Sequence, residues 1–144
     1  MKVLRFYFLV IIVSFGLHFV WESLHISLYT GYGGIETYGL PVTLWATFGD
    51  VLYTLGVVLV IALVHRSLLW CERLRFTEYV FLGFFGFIIS LCIEYKALAI
   101  MKWHYLPTMP LIPIFNVGLS PVLQMTMLLP LSVAISVFVH KQIG

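Results

Sequence analysis

The sequence predicts an all-α integral membrane protein, a bundle of four transmembrane helices with both termini on the cytoplasmic side. Hydrophobic residues make up 62% of the 144 residues and charged residues only 10%, whereas a soluble domain carries about 25% charged residues. Four apolar segments are each near or above the ~20 residues that cross the hydrocarbon core of a bilayer. No linker or shift in composition divides them, so we expect a single transmembrane domain over residues 1–144.

The four predicted helices follow the apolar segments and cover residues of about 4–29, 41–64, 78–101 and 118–139. The first begins like a secretory signal peptide, because Lys2 and Arg5 precede an apolar run. No small-residue cleavage site follows this run. We therefore interpret the segment as an uncleaved transmembrane helix.

The distribution of lysine and arginine predicts the orientation of the helices. Cytoplasmic loops carry an excess of these residues, and most of them lie before the first helix, between the second and third, or after the fourth. Both termini should therefore be cytoplasmic, in a plasma or inner membrane. The positive residues form no basic face, which argues against a nucleic-acid partner. The residues in question are Lys2, Arg5, Arg66, Arg73, Arg75 and Lys141.

A polar stripe follows one side of the first predicted helix. His18, Trp21, Glu22 and His25 stand at offsets i, i+3, i+4 and i+7, and a helix turns once per 3.6 residues, so the four side chains share a face. Ionisable groups at membrane depth are costly and rarely face lipid. The stripe therefore predicts a partner, a ligand, a metal or a water-filled cavity beside it.

Polar residues on the other helices lie at a similar depth. A rise of 1.5 Å per residue places Asp50, Glu94 and Gln124 in the outer half of the bilayer, level with the stripe. Tyr53, close to Asp50 on the second helix, is a hydrogen-bond donor that a buried carboxylate needs. We expect these residues to form the walls of one pocket that opens towards the extracytoplasmic side.

The two outer connections differ from each other in composition. Residues 29–41 are rich in glycine and tyrosine and predict an irregular loop. Residues 103–121 contain four prolines but are mostly apolar, which predicts either a lid over the mouth of the bundle or an interfacial anchor. This second connection contributes the candidate ligand-binding residues Trp103, His104, Tyr105 and Asn116.

A metal site is one interpretation of the stripe. Imidazole and carboxylate groups suit zinc, iron, manganese or copper. His18 and His25 are separated by about 10.5 Å along the helix axis, so a single ion would take a subset of His18, Glu22 and His25. Ligands from other helices would then complete its coordination.

Three further interpretations remain open. A buried carboxyl beside an imidazole can donate and accept protons near neutral pH, which predicts acid–base chemistry. Two imidazoles can ligate a haem, with His18 or His25 opposite His104. The polar groups can also form a network that sets the register of the helices without any ligand.

Two short fragments carry a family resemblance. His18-Phe19-Val20-Trp21-Glu22 and Gly49-Asp50-Val51-Leu52-Tyr53 resemble the His-x3-Glu and Gly-Asp-Val-Leu-Tyr motifs of the emopamil-binding (EXPERA) family, small membrane proteins that bind or isomerise sterol-like molecules. The second fragment is on the second helix here, whereas the family places it later. The resemblance implies acid–base chemistry on, or binding of, a hydrophobic ring system, with His18 and Glu22 in the pocket.

The leading hypothesis is a small membrane enzyme, or a binder, of a lipid-, isoprenoid- or sterol-like molecule. Glu22, His18, Asp50 and Glu94 are its candidate catalytic residues. The alternative is a metal- or proton-handling, or haem-binding, transporter or assembly subunit. A bundle of four helices is thin, so we also consider a homo-oligomer or a larger membrane complex. The candidate ligand-binding residues are Trp21, His25, Tyr53, Trp103, His104, Tyr105, Asn116 and Gln124.

Overall fold

Four long helices dominate the computed structural model, which describes residues 1–31, 39–70 and 74–143. All four are long and apolar enough to cross a membrane, so the prediction of a multi-pass helical membrane protein is confirmed. Two predicted features, residues 32–38 of the first outer loop and Arg73, lie outside the described residues. The helices are α1 (Lys2–His25), α2 (Leu40–Val64), α3 (Phe76–Ala99) and α4 (Leu119–Ile143).

Two helix ends differ from the predicted bounds. Helix α1 ends at His25, and a 3-10 turn (Ile26–Leu28) leads into strand β1 (Tyr29–Thr30). The chain leaves the helix early because β1 pairs with β2 (His104–Tyr105). Helix α4 continues beyond residue 139 to Ile143, since the basic side chains of its last turn complement the helix dipole.

The helices pack in the spatial order α2, α1, α4, α3. Helix α1 packs against both α2 and α4, and α4 packs against α3, whereas α2 and α3 make few contacts with each other. The ends of the chain lie side by side, because Arg5 donates a hydrogen bond to the Ile143 carbonyl at 3.0 Å. Towards these ends the interior is apolar, with Phe6, Val58 and Leu129 fully buried.

Helices α3 and α4 approach each other through glycine. A Cβ atom on Gly86 would lie 2.3 Å from the Met125 carbonyl oxygen, and one on Gly83 would lie 3.3 Å from the Thr126 carbonyl oxygen. Pro130 has no N–H, so the Thr126 carbonyl, four residues earlier, lacks its usual helical donor. Small residues thus allow backbone-to-backbone contact at this point, as is common between transmembrane helices.

The outer connections are more regular than predicted. Besides the β1–β2 pair, β3 (Leu111–Ile112) pairs antiparallel with β4 (Val117–Gly118). The Leu106 amide also donates a hydrogen bond to the Leu28 carbonyl at 2.9 Å. Backbone polar groups close to lipid need internal partners, and these short ladders supply them despite the prolines.

The glycine contact predicts an asymmetric response to alanine substitution. Gly86→Ala forces its Cβ into the α4 backbone, and overpacking of this kind costs about 1–3 kcal/mol. Gly56→Ala is the matched control, because nothing lies within 4 Å of the corresponding Cβ position. Thermal unfolding in detergent should show a lower midpoint for Gly86→Ala alone. Equal midpoints for the two variants would contradict the described α3–α4 contact.

Candidate functional site

A cavity of about 240 Å³ lies between the four helices, at the end of the bundle away from the chain termini. All four helices contribute to its walls. Apolar side chains, among them Val42, Trp45 and Met125, line part of it. The polar side chains that line the cavity include Glu22, His25, Asp50, Tyr53, Glu94, Trp103 and Gln124.

The side-chain amide of Gln124 joins three helices. Its nitrogen lies 2.7 Å from Asp50 Oδ2, 2.9 Å from Glu22 Oε1 and 3.1 Å from His18 Nδ1. An amide nitrogen carries two hydrogens, and these can serve the two carboxyl groups. His18 Nδ1 lies 3.3 Å from Asp50 Oδ2, so a proton on Nδ1 can be donated to Asp50. With this assignment Gln124 and His18 supply three donors to the two buried carboxyl groups.

The polar contacts continue from Glu22 towards the mouth of the bundle. The second carboxyl oxygen of Glu22 lies 3.2 Å from His25 Nε2. His25 Nδ1 in turn lies 2.8 Å from Ser120 Oγ, which also accepts a hydrogen bond from Trp21 at 3.3 Å. The stripe of α1 is therefore tied to α4 along its length, and Trp21 contacts α4 instead of lining the cavity.

Glu94 forms a second polar centre on the other side of the cavity. The Trp103 indole donates a hydrogen bond to Glu94 Oε2 at 3.3 Å, and the Tyr105 hydroxyl donates to the same oxygen. The ring of Tyr29 packs edge-on against both Trp103 and Tyr105. The aromatic residues of the second outer connection thus cover the cavity at Glu94.

The electrostatics of the covering tyrosines favour their neutral form. Burial raises the pKa of Tyr29 above its ordinary value, and the nearby Glu94 carboxyl raises it further. The pKa of Tyr105 is also raised, first by burial and then by its hydrogen bond to Glu94. Both phenols therefore remain hydrogen-bond donors well into the alkaline range.

Two candidate ligand-binding residues lie away from the cavity. His104 is exposed, and its backbone pairs with Thr30 in the β1–β2 ladder. Asn116 is also exposed and adopts a positive φ of 53°, a turn conformation that asparagine tolerates better than most residues. In the structure, both residues belong to the strand pairing and the turn of the outer connections, and neither lines the cavity.

Two residues of the site were missed in the sequence, although the helical spacing points to them. Tyr29 lies four residues after His25 and continues the polar stripe beyond the end of α1. Ser120 lies four residues before Gln124 and contacts both Trp21 and His25. A search at i±4 from the predicted residues would have found both.

The donor geometry favours hydrogen bonding over metal coordination. Within residues 1–31, 39–70 and 74–143, no group of three or more His, Cys, Asp or Glu side chains has an arrangement that could hold a metal ion. The Gln124 side-chain nitrogen, a hydrogen-bond donor and not a metal ligand, lies between His18, Glu22 and Asp50 at hydrogen-bond distances. A haem between facing histidines is likewise disfavoured, because His104 lies outside the cavity.

Removal of the Gln124 amide should destabilise the protein. Gln124→Leu leaves the buried carboxyl of Glu22 and the partly buried carboxyl of Asp50 short of a donor, and an unsatisfied buried group costs about 1–3 kcal/mol. Gln142→Leu, at an exposed position on the same helix, is the control. Unfolding in detergent should show a large loss only for Gln124→Leu. A neutral or stabilising effect would mean that the amide does not satisfy these groups.

The shifted tyrosines predict a pH dependence of stability. Because folding raises the pKa of Tyr29, its contribution to stability is complete below the ordinary tyrosine pKa of about 10 and declines as pH rises above it. Tyr29→Phe should lose less stability than the wild type between neutral and strongly alkaline pH. The measurement is the unfolding midpoint as a function of pH, and parallel curves for Tyr29→Phe and wild type would contradict the prediction.

Comparisons with models of protein families, with curated proteins and with solved structures found no match for this chain.

Proposed function

We propose that this protein binds a lipid-, isoprenoid- or sterol-like molecule in the cavity and acts on it, or recognises it, through acid–base groups. The observation that carries the proposal is the convergence of three carboxyl groups, Glu22, Asp50 and Glu94, from three helices on one cavity. Ionisable groups inside a membrane protein are expensive and usually serve a function. The apolar part of the same cavity suits the hydrocarbon of such a ligand.

The pairing of carboxyl and imidazole groups supports acid–base chemistry. Asp50 lies beside His18, and Glu22 lies beside His25. Each pair couples a group that can give up a proton to one that can accept it, and general acid–base catalysis requires such pairs within hydrogen-bond reach. The resemblance of the fragments around His18 and Asp50 to the emopamil-binding family favours the same chemistry.

We further propose that the cavity faces the extracytoplasmic side. Lys2, Arg5, Arg75 and Lys141 lie towards the end of the bundle that carries the chain termini, and the positive-inside rule assigns that end to the cytoplasm. The cavity lies at the opposite end, level with the outer leaflet. Its ligand would accordingly be taken from that leaflet.

A proton-handling role is the second candidate, favoured by the continuous contacts of ionisable groups from His18 through Asp50 and Glu22 to His25. Such a chain can relay a proton along the cavity wall. Towards the end of the bundle that carries the chain termini, the interior is mostly apolar. Among the described residues, the buried polar side chains between the cavity and His140 near that end carry only hydroxyl groups. This distribution supports local proton transfer better than transfer across the membrane. The hydroxyl residues are Ser14, Thr54, Ser132 and Ser136.

Native mass spectrometry of the purified protein tests the proposed ligand. We expect a bound species of defined mass on the wild type and its loss from Asp50→Asn and Glu94→Gln, because each substitution removes a charge and an acceptor from the cavity. Glu78→Gln is the matched control, since Glu78 lies at the opposite end of α3 and glutamine preserves a helix cap.

The outcome that contradicts the proposal is a set of adducts that mirrors the bulk lipids and is identical in all four proteins. Elemental analysis of the wild type and of Glu22→Gln addresses the metal alternative. A stoichiometric metal that is lost in Glu22→Gln would favour that alternative over lipid binding.

A further inference from the structure

The side of the bundle between α2 and α3 is open along much of its length. These two helices make few contacts with each other, although both line the cavity. Deeper in the bundle, they border an apolar groove of about 320 Å³. Its lining includes Tyr53, Gly56 and Val60 of α2 and Phe85 and Ile89 of α3.

The cavity and the groove adjoin each other at Tyr53, which lines both of them. On α2, the positions that follow one another down the opening are Ala46, Gly49, Tyr53, Gly56 and Val60, which alternate steps of three and four residues and so share one helix face. At 1.5 Å per residue this face is about 21 Å long. The cavity and the groove therefore follow one another along the helix axes and form a long, narrow space with Tyr53 at their junction.

The two ends of this space differ in polarity. The cavity end holds the carboxyl groups of Asp50 and Glu94 together with the Gln124 amide. The groove end is bordered by aliphatic and aromatic carbon, apart from the single hydroxyl of Tyr53. A space of this kind matches a molecule with one polar end and one hydrocarbon chain.

We propose that the groove holds the hydrocarbon chain of an amphipathic lipid, which enters between α2 and α3 and places its polar end beside Asp50 and Glu94. This inference rests on the proposed function and specifies its substrate class. The polar end is a hydrogen-bond donor, such as a hydroxyl or an amine, because the cavity is rich in carboxyl groups that accept hydrogen bonds. A phosphate or carboxylate head would add like charge beside them.

The basic groups around the cavity do not offset this preference. His25 is engaged with Glu22 and Ser120. The ammonium of Lys102 lies 5.3 Å from the centre of the Trp103 ring, on an exposed side chain at the cavity edge. The interior of the site consequently favours a neutral or cationic head over an anionic one.

The groove orients the hydrocarbon chain of the lipid more than it strengthens binding of the lipid. Lipid tails are as apolar as the groove walls, so a chain gains little free energy by leaving the bilayer for the groove. The selective interactions are those of the polar end, and the groove sets the direction of the chain from it. The informative measurement is thus where the hydrocarbon chain of the lipid lies, and the affinity of the protein for the lipid is secondary.

Photo-crosslinking in phosphatidylcholine nanodiscs locates the chain directly. The probe is hexadecan-1-ol with a diazirine in the middle of its chain, and labelled peptides are mapped by mass spectrometry. We expect labelling concentrated in residues 52–60 and 85–89, competed by unlabelled hexadecan-1-ol and weakly by hexadecyl phosphate. Gly56→Trp, which fills the groove, should reduce this labelling severalfold.

Two controls separate a blocked groove from a general effect of a bulky residue. Gly16→Trp introduces the same side chain at an exposed position on α1, where nothing lies within 4 Å of the Cβ position, and should leave the labelling pattern unchanged. Gly56→Ala should also leave it unchanged. Thermal unfolding of each variant verifies that it is folded.

The outcomes distinguish this inference from the proposed function. Uniform labelling of all lipid-facing helices, or labelling that Gly56→Trp does not alter, overturns the groove assignment even if native mass spectrometry shows a ligand in the cavity. A dimer in nanodiscs that Gly56→Trp dissociates identifies a second copy as the occupant of the groove and also overturns it. The absence of a specific adduct on the wild-type protein in native mass spectrometry, by contrast, removes the proposed function itself. Stronger competition by hexadecyl phosphate than by the alcohol overturns the assigned head group.

Discussion

The arrangement of the site depends on the contact of one amide with two carboxyl groups. Gln124 on α4 donates to Glu22 on α1 and to Asp50 on α2, so a single side chain joins three of the four helices at the level of the cavity. Each carboxyl group would be costly in a low-dielectric interior without a donor. Hydrogen bonds between membrane helices are individually weak, at about 0.6 kcal/mol, and their value here lies in the register that they impose.

The interior is divided into two parts with different roles. The end with the chain termini is closed by apolar packing among α1, α2 and α4, to which Leu82 of α3 adds. The other end is held by polar contacts and covered by aromatic residues of the outer connections. This division lets apolar packing among α1, α2 and α4 stabilise the bundle while the side between α2 and α3 stays open. The polar cavity and the apolar packing that stabilises the bundle therefore lie at different positions along the helix axes.

Sequence reasoning predicted the helices well and the outer connections poorly. Apolar length and helical rise suffice to place Glu22, Asp50 and Gln124 at one depth, because membrane helices have a regular geometry. The direction that each helix faces depends on packing, which is why the lateral opening was not foreseen. His104 and Asn116 were predicted from residue type alone, and their exposure depends on strand pairing and turn conformation that a single sequence does not reveal. Trp103 and Tyr105 reach Glu94 through the same strand pairing.

The contact of Gly86 with the α4 backbone has a consequence for the opposite side of α3. Helix α3 joins the bundle mainly through α4 and barely touches α2. The spacing of α3 from α4 consequently determines how far α3 stands from α2, and hence the width of the lateral entrance. Substitution at Gly83, Gly86 or Pro130 would then alter the width of this opening without changing any residue of the polar site. The shape of the cavity's open side is therefore set by a helix contact on the opposite face of α3.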